Sequence, residues 1–215
     1  MAVQQSAQPA RVRAYEWVRN GILTGRLESG SFIDEATVCQ AVGVSRTPVR
    51  EAFHQLSAEK FMVHSPRRGA QVRTVTATEL IEVYDSRRLI EGHAGRLVCE
   101  RELPLPDELT ELLDRMEAVD AGTLEGTDLN YRFHRGIVSA AGNTVLTELY
   151  EALSPRLLRV SLMAMTARPE RRTHIDSEHR LLLKALRERD TDGFLGTLDA
   201  HLRPIEAVLA ALPGR

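Results

Sequence analysis

Two cysteines in 215 residues, Cys39 and Cys99, exclude a disulfide scaffold, and neither has the spacing of a thiolate metal site. They read as small apolar core residues of a protein in a reducing cytoplasm. No apolar run approaches the ~18 residues that a membrane helix requires. Met1 to Ala10 is polar and rich in Gln and Ala, without the apolar stretch of a secretory signal, and is expected to be a disordered tail. Also missing are a glycine-rich phosphate loop, a Ser/His/Asp or Cys/His arrangement and a dedicated general base, which weighs against catalysis. Past Thr76 there is no alternating pattern of the kind that marks strands.

What is present is ordinary globular composition, 43% hydrophobic and 27% charged, with room for two modest domains. The net charge of −2 conceals an asymmetry: residues 1–76 carry ten Lys/Arg against six Asp/Glu, and residues 77–215 carry eighteen against twenty-four. A basic first part suits a polyanion, whereas an acidic second part repels one.

The most informative stretch runs from Ala41 to Phe53. Gly43 supplies a turn, Ser45 stands where it can cap a helix, and Pro48 falls in the first turn, where a missing N–H costs little. Val49, Ala52, Phe53 and Leu56 follow at i, i+3, i+4 and i+7, the spacing of a buried face. Arg46 and Arg50 lie one turn apart beside that face, next to Thr47. Such a helix suits the DNA major groove: arginine pairs bidentately with guanine, and Thr47 or the helix N-terminus can hold a phosphate. Asp34 is placed to cap a short preceding helix, Glu35 to Ala41, and Arg11 to Leu27 reads as the first helix. Phe61–His64 and Ala70–Arg73 read as two strands, joined by Ser65-Pro66-Arg67-Arg68-Gly69. Arg67 and Arg68 at this tip are either a solvated turn or a minor-groove contact, with Gly69 allowing close approach.

The run Gly-Val-Ser-Arg-Thr-Pro-Val-Arg-Glu-Ala, Gly43 to Ala52, resembles the signature of GntR-family transcription regulators. The resemblance implies a winged helix-turn-helix over residues 11–75, contacting double-stranded DNA through Ser45, Arg46, Thr47, Arg50, Arg67, Arg68 and Gly69. Relatives often place a further DNA-contacting arginine in the preceding helix. Here Glu35-Ala36-Thr37 has none, which implies a different operator.

Residues 76–215 read as an antiparallel bundle of six helices. The first runs from Glu79 to Glu102, with Leu80, Val83, Tyr84, Arg87, Ile90, Glu91, Ala94 and Leu97 at helical spacing. The second follows Pro106, and Gly122 to Gly126 breaks the chain before a third helix from Asp128 to Ala141. A fourth runs from Asn143 to Met165, bent near Pro155. After a loop at Arg168-Pro169-Glu170, Arg172–Arg189 and Asp192–Leu212 complete the set. Asn130 and His134 are i, i+4 and project from one face. His134, His179 and His201 lie on three helices and are either hydrogen-bonded core residues or ligands converging on one divalent cation.

Phe133-His134, Ala140-Ala141-Gly142-Asn143, Glu178-His179-Arg180 and His201-Leu202 are similar to the FCD-type effector domain of the FadR branch of the GntR family. A count of six helices is closer to the VanR-type arrangement than to the seven of the FadR type. The resemblance implies a zinc or nickel ion held by His134, His179 and His201, with Asn130 where relatives usually have Asp. Asn offers a carbonyl oxygen without charge, so affinity should fall. It also implies a small-carboxylate effector engaged by Arg87, with Asn143, Arg156 and Arg159 as further pocket candidates. A salt bridge from Arg87 to Glu91 is the alternative reading of that residue. The whole is expected to be a cytoplasmic, homodimeric regulator of a palindromic operator. A metal sensor without organic effector and a metal-dependent hydrolase are the alternatives.

Overall fold

The computed structural model describes residues 8–65, 68–167 and 172–214. The tail expected at 1–10 lies outside them up to residue 7, and so does the loop expected at Arg168-Pro169-Glu170. The chain divides into two units between Thr74 and Val75.

In the first unit, α1 (Ala10–Leu23), α2 (Glu35–Val42) and α3 (Arg46–Ala58) enclose a core that includes Ala14, Val18, Val38, Val49, Phe53 and Leu56. Asp34 caps α2 by accepting from the Thr37 N–H at 2.8 Å. Gly43 ends α2 in the left-handed region at φ 70°, which a residue without Cβ adopts at no steric cost. Ser45 occupies the N-cap position of α3, but its hydroxyl makes no capping bond, contrary to expectation. The Tyr15 hydroxyl on α1 donates to Glu59 at 2.6 Å and ties α1 to the end of α3.

The sheet has one strand more than expected. β1 (Phe32–Ile33), β2 (Met62–Ser65) and β3 (Gly69–Val72) run antiparallel in the order β1-β3-β2, with Ile33 opposite Ala70 and Met62 opposite Val72. Gly69 stands at φ 85°, and a Cβ there would lie 2.3 Å from the Ile33 carbonyl oxygen. Its freedom therefore serves the close packing of the sheet itself.

In the second unit the described residues form eight helices rather than six: α4 (Ala77–Glu100), α5 (Glu108–Ala118), α6 (Leu124–Ala140), α7 (Thr144–Ala152), α8 (Ser154–Ala167), α9 (Arg172–Glu188), α10 (Thr191–His201) and α11 (Glu206–Ala211). The expected fourth helix is two, because the chain restarts at Ser154 with Pro155 in a first turn that needs no N–H from it. The expected last helix is also two, interrupted at Pro204 between α10 and α11. Gly126 does not break the chain. Thr123 caps α6 by accepting its N–H at 3.1 Å, and a Cβ at 126 would meet the Asp120 carbonyl oxygen at 2.4 Å. Helix α4 packs against α6, α8, α9 and α10 and so runs through the middle of the bundle. Phe194 lies against Gly95, where a Cβ would fall 2.0 Å from its ring. No described helix is long and apolar enough to cross a membrane.

Candidate functional site

Helix α3 buries Val49, Ala52, Phe53 and Leu56 and leaves Ser45, Arg46, Thr47 and Arg50 exposed, so its N-terminal half presents two guanidinium groups to solvent. Arg50 is not free of partners: its Nε donates to Glu35 at the start of α2 at 2.8 Å. That bond raises the guanidinium pKa. At the wing, Arg68 is exposed and lies over the Phe32 ring at 5.4 Å from its centroid. Arg67 lies outside the described residues.

The second unit holds a cavity lined by Tyr84, Arg87, Thr127, Asn130, His179 and His201, among others. The structure brings His134 from α6, His179 from α9 and His201 from α10 together, with their ligand-capable nitrogens all within 4.8 Å of one another. His134 Nε2 lies 3.2 Å from His179 Nε2 and 3.2 Å from His201 Nε2. The far sides of two rings meet carboxylates: His201 Nδ1 is 2.8 Å from Glu178 Oε2, and His134 Nδ1 is 2.9 Å from Glu91 Oε2. The latter contact is short without the alignment of a full hydrogen bond.

With protons on those two Nδ1 atoms, the Nε2 atoms of His134 and His201 both carry bare lone pairs and face each other. Neutral rings alone leave that contact repulsive. The separation is close to the roughly 3.3 Å between two nitrogens sharing a tetrahedral zinc with bonds of about 2.0–2.1 Å. Burial, followed by His201 and His134, holds His179 well below the ordinary histidine pKa, so its ring is neutral as a ligand must be. The donor set therefore fits a transition-metal cation. Asn130, half-buried one turn before His134, lines the same cavity, whereas Asp128 is exposed.

Arg87 is buried in the cavity wall, and its Nε donates to Glu91 Oε1 at 2.6 Å. Its Nη2 is buried without a partner. Burial pushes the Glu91 carboxyl pKa up, but Arg87 and His134 more than reverse this and hold it well below the carboxylate range. Tyr150, from α7, donates its hydroxyl to the same oxygen at 2.8 Å. The three remaining pocket candidates are not among the described residues that line the cavity. Asn143 is exposed and caps α7, accepting from the Leu146 N–H at 3.0 Å. Arg156 reaches Glu79 at 3.6 Å, and Arg159 is buried on α8.

Sequence reasoning paired Glu91 with Arg87 but missed its contacts to His134 and Tyr150, and missed Glu178 behind His201. The available signal was an acid on the otherwise apolar stripe of α4, one turn from an arginine on the same stripe.

A winged helix-turn-helix followed by an all-helical unit with a histidine-lined cavity is the architecture of a bacterial DNA-binding regulator. Residues 10–72 match the family model described as bacterial regulatory proteins, gntR family, and residues 82–204 match the FCD domain. The chain belongs to the GntR family, with an FCD domain as its second part. It is 30% identical over 186 residues to the gluconate operon transcriptional repressor of Bacillus subtilis, covering 82% of this chain and 75% of that protein. It is 26% identical over 211 residues to the HTH-type transcriptional repressor GlaR of Escherichia coli, covering 93% and 96%. Among solved structures, Escherichia coli McbR/YncC is similar in fold, with a TM-score of 0.72 at 23% identity over 94% of this chain and 98% of that one.

Proposed function

We propose that this chain is a ligand-responsive, homodimeric transcriptional repressor of the cytoplasm, reading a palindromic operator. In this reading Arg46 and Arg50 contact base edges, Ser45 and Thr47 meet phosphates, and the wing residues Arg67, Arg68 and Gly69 touch the minor groove or the backbone. Two copies related by a two-fold axis would present two recognition helices to two half-sites.

The observation that carries the sensing half is the convergence of three imidazole Nε2 atoms, two pairs at 3.2 Å, beside a cavity walled by Arg87. His134, His179 and His201 would hold zinc or nickel, with Asn130 offering an uncharged oxygen. The cation supplies a Lewis-acidic positive charge for a carboxylate oxygen. Arg87 gives a small organic acid a second point of attachment through Nη2. The relative named for the gluconate operon makes gluconate a first acid to try. For such a ligand to regulate, it must bind one state of the dimer better than the other.

The test is to select operator sequences from random DNA with the full chain, then titrate gluconate and other small carboxylates into the complex with and without zinc. A change in operator affinity without consumption of the acid supports a sensor. Consumption of the acid would make the protein an enzyme instead. A second reading, a metal sensor without organic effector, is favoured by one observation: the Arg87 charge is already matched by Glu91. It expects chelation alone to change operator affinity and carboxylates to change nothing.

A further inference from the structure

Among the described residues Glu91 is the only fully buried acid, and nothing about packing demands it. Leu80, Val83, Ala94 and Val98, also buried on α4, are apolar. A carboxylate in such surroundings loses several kcal/mol of hydration, so its persistence requires compensating contacts. Glu91 has three, from three elements. Oε1 accepts from Arg87 Nε on its own helix at 2.6 Å and from the Tyr150 hydroxyl on α7 at 2.8 Å. Oε2 lies 2.9 Å from His134 Nδ1 on α6. Two of these partners serve the cavity: His134 contributes to the imidazole cluster, and Arg87 forms part of the wall.

We propose that Glu91 is the positioning residue that links the two halves of this site, its Oε2 setting the ring form of His134 and its Oε1 the orientation of Arg87. On the histidine side, the negative charge 2.9 Å behind Nδ1 favours the proton on that nitrogen through its field, without an aligned hydrogen bond, and so leaves Nε2 bare toward His179 and His201. On the arginine side, engagement through Nε leaves the unpartnered Nη2 for a ligand. One rigid carboxylate thus makes the state of the cluster felt at the guanidinium. Glu178 stands behind His201, at hydrogen-bond distance of 2.8 Å from its Nδ1, but it comes from α9 and its side chain is 20% exposed. The two acids also answer the question raised by Asn130. The anionic charge absent from position 130 stands behind two of the rings instead.

The inference rests on the reading of the histidines as ligands, and it is tested with the full chain and zinc as the probe. In metal-free protein, long-range ¹⁵N correlation spectra should show His134 protonated at Nδ1, and Glu91→Gln should shift it toward the Nε2–H form. Zinc affinity by chelator competition should fall by about 10–100-fold in Glu91→Gln and also in Glu178→Gln. Zinc should move the Arg87 Nε–H signal in the parent and in Glu178→Gln, but not in Glu91→Gln. A residue serving stability alone would lower the unfolding midpoint without changing the His134 form or the zinc affinity of the folded protein. If Glu91→Gln does not fold, Glu91→Asp retains the charge but withdraws it from His134, and the same losses are expected. Zinc affinity within twofold of the parent and an unchanged His134 ring form, in whichever variant folds, would overturn the proposal. So would an Arg87 response to zinc that persists without Glu91. A parent that takes up no zinc would remove the metal reading, while the ring form of His134 in Glu91→Gln would still decide the role of Glu91.

Discussion

Two arginine–glutamate pairs of nearly equal length do opposite work in the two units. Arg50 and Glu35 meet at 2.8 Å with side chains 61% and 23% exposed, whereas Arg87 and Glu91 meet at 2.6 Å with side chains 5% and 0% exposed. At the surface, water and salt compete for both partners, so the bond is weak and exchangeable. In the proposed reading, Arg50 would turn from Glu35 to a DNA base at little cost. In the interior no water replaces a lost partner, and each charge depends on the other. On that reading the outer pair belongs to a side chain that must remain available. The inner pair, on the same reading, would hold a shape that a ligand finds ready-made.

The strongest way to break this comparison is Arg87→Ala. It would leave Glu91 buried without its cation, and the expected loss is about 3–5 kcal/mol of folding stability. Urea unfolding of the variant checks it, and a loss well under that range would show that Tyr150 and His134 suffice for Glu91. Replacing both partners, as in Arg87→Met with Glu91→Met, should recover most of the stability while zinc affinity stays low. His179→Ala comes next. It removes an imidazole from the cluster itself, so zinc affinity should fall by more than the roughly 10–100-fold expected for a partner behind a ligand. Full zinc occupancy in that variant, read by plasma mass spectrometry, would remove His179 from the ligand set.

In the first unit the effects move from stability to recognition. Arg46→Ala or Arg50→Ala should reduce discrimination between selected operator and random DNA by about 10–100-fold, with the unfolding curve unchanged. Fluorescence anisotropy on both DNAs measures it, and unaltered discrimination would mean that α3 does not read bases. Glu35→Gln should have the smallest effect, a loss of operator affinity below that of Arg50→Ala and no resolvable change in stability. An effect as large as that of Arg50→Ala would place Glu35 on the DNA itself.

The two units were unequally legible. Helix α3 is legible, apart from the Ser45 cap, because its signals are local: Gly43 for the left-handed turn, then four apolar residues on one face. The third strand could not be read, since Phe32–Ile33 is too short to show alternation and exists only through its pairing with Gln71 and Ala70. In the bundle, Pro155 signals a disturbance, but whether a proline bends a helix or begins a new one depends on what packs around it. As a glycine in a loop-like run, Gly126 predicts a break in the chain. Its place inside α6 follows from the Asp120 carbonyl lying where a side chain would be.

The sequence by itself determined the class of each unit, the buried face of α3 and the membership of His134, His179 and His201 in one set. Periodicity and turn chemistry give the buried face of α3 and the all-helical second unit; motif resemblance gives the winged helix-turn-helix and the histidine set, since the spacing of the histidines alone carries no such information. Tertiary structure alone decided that Asn143 caps a helix instead of lining the cavity. It also decided that Glu91 meets Tyr150 and His134, and that carboxylates stand behind two of the three rings. These contacts join residues far apart in the chain, and their worth comes from burial, which only the packed bundle creates.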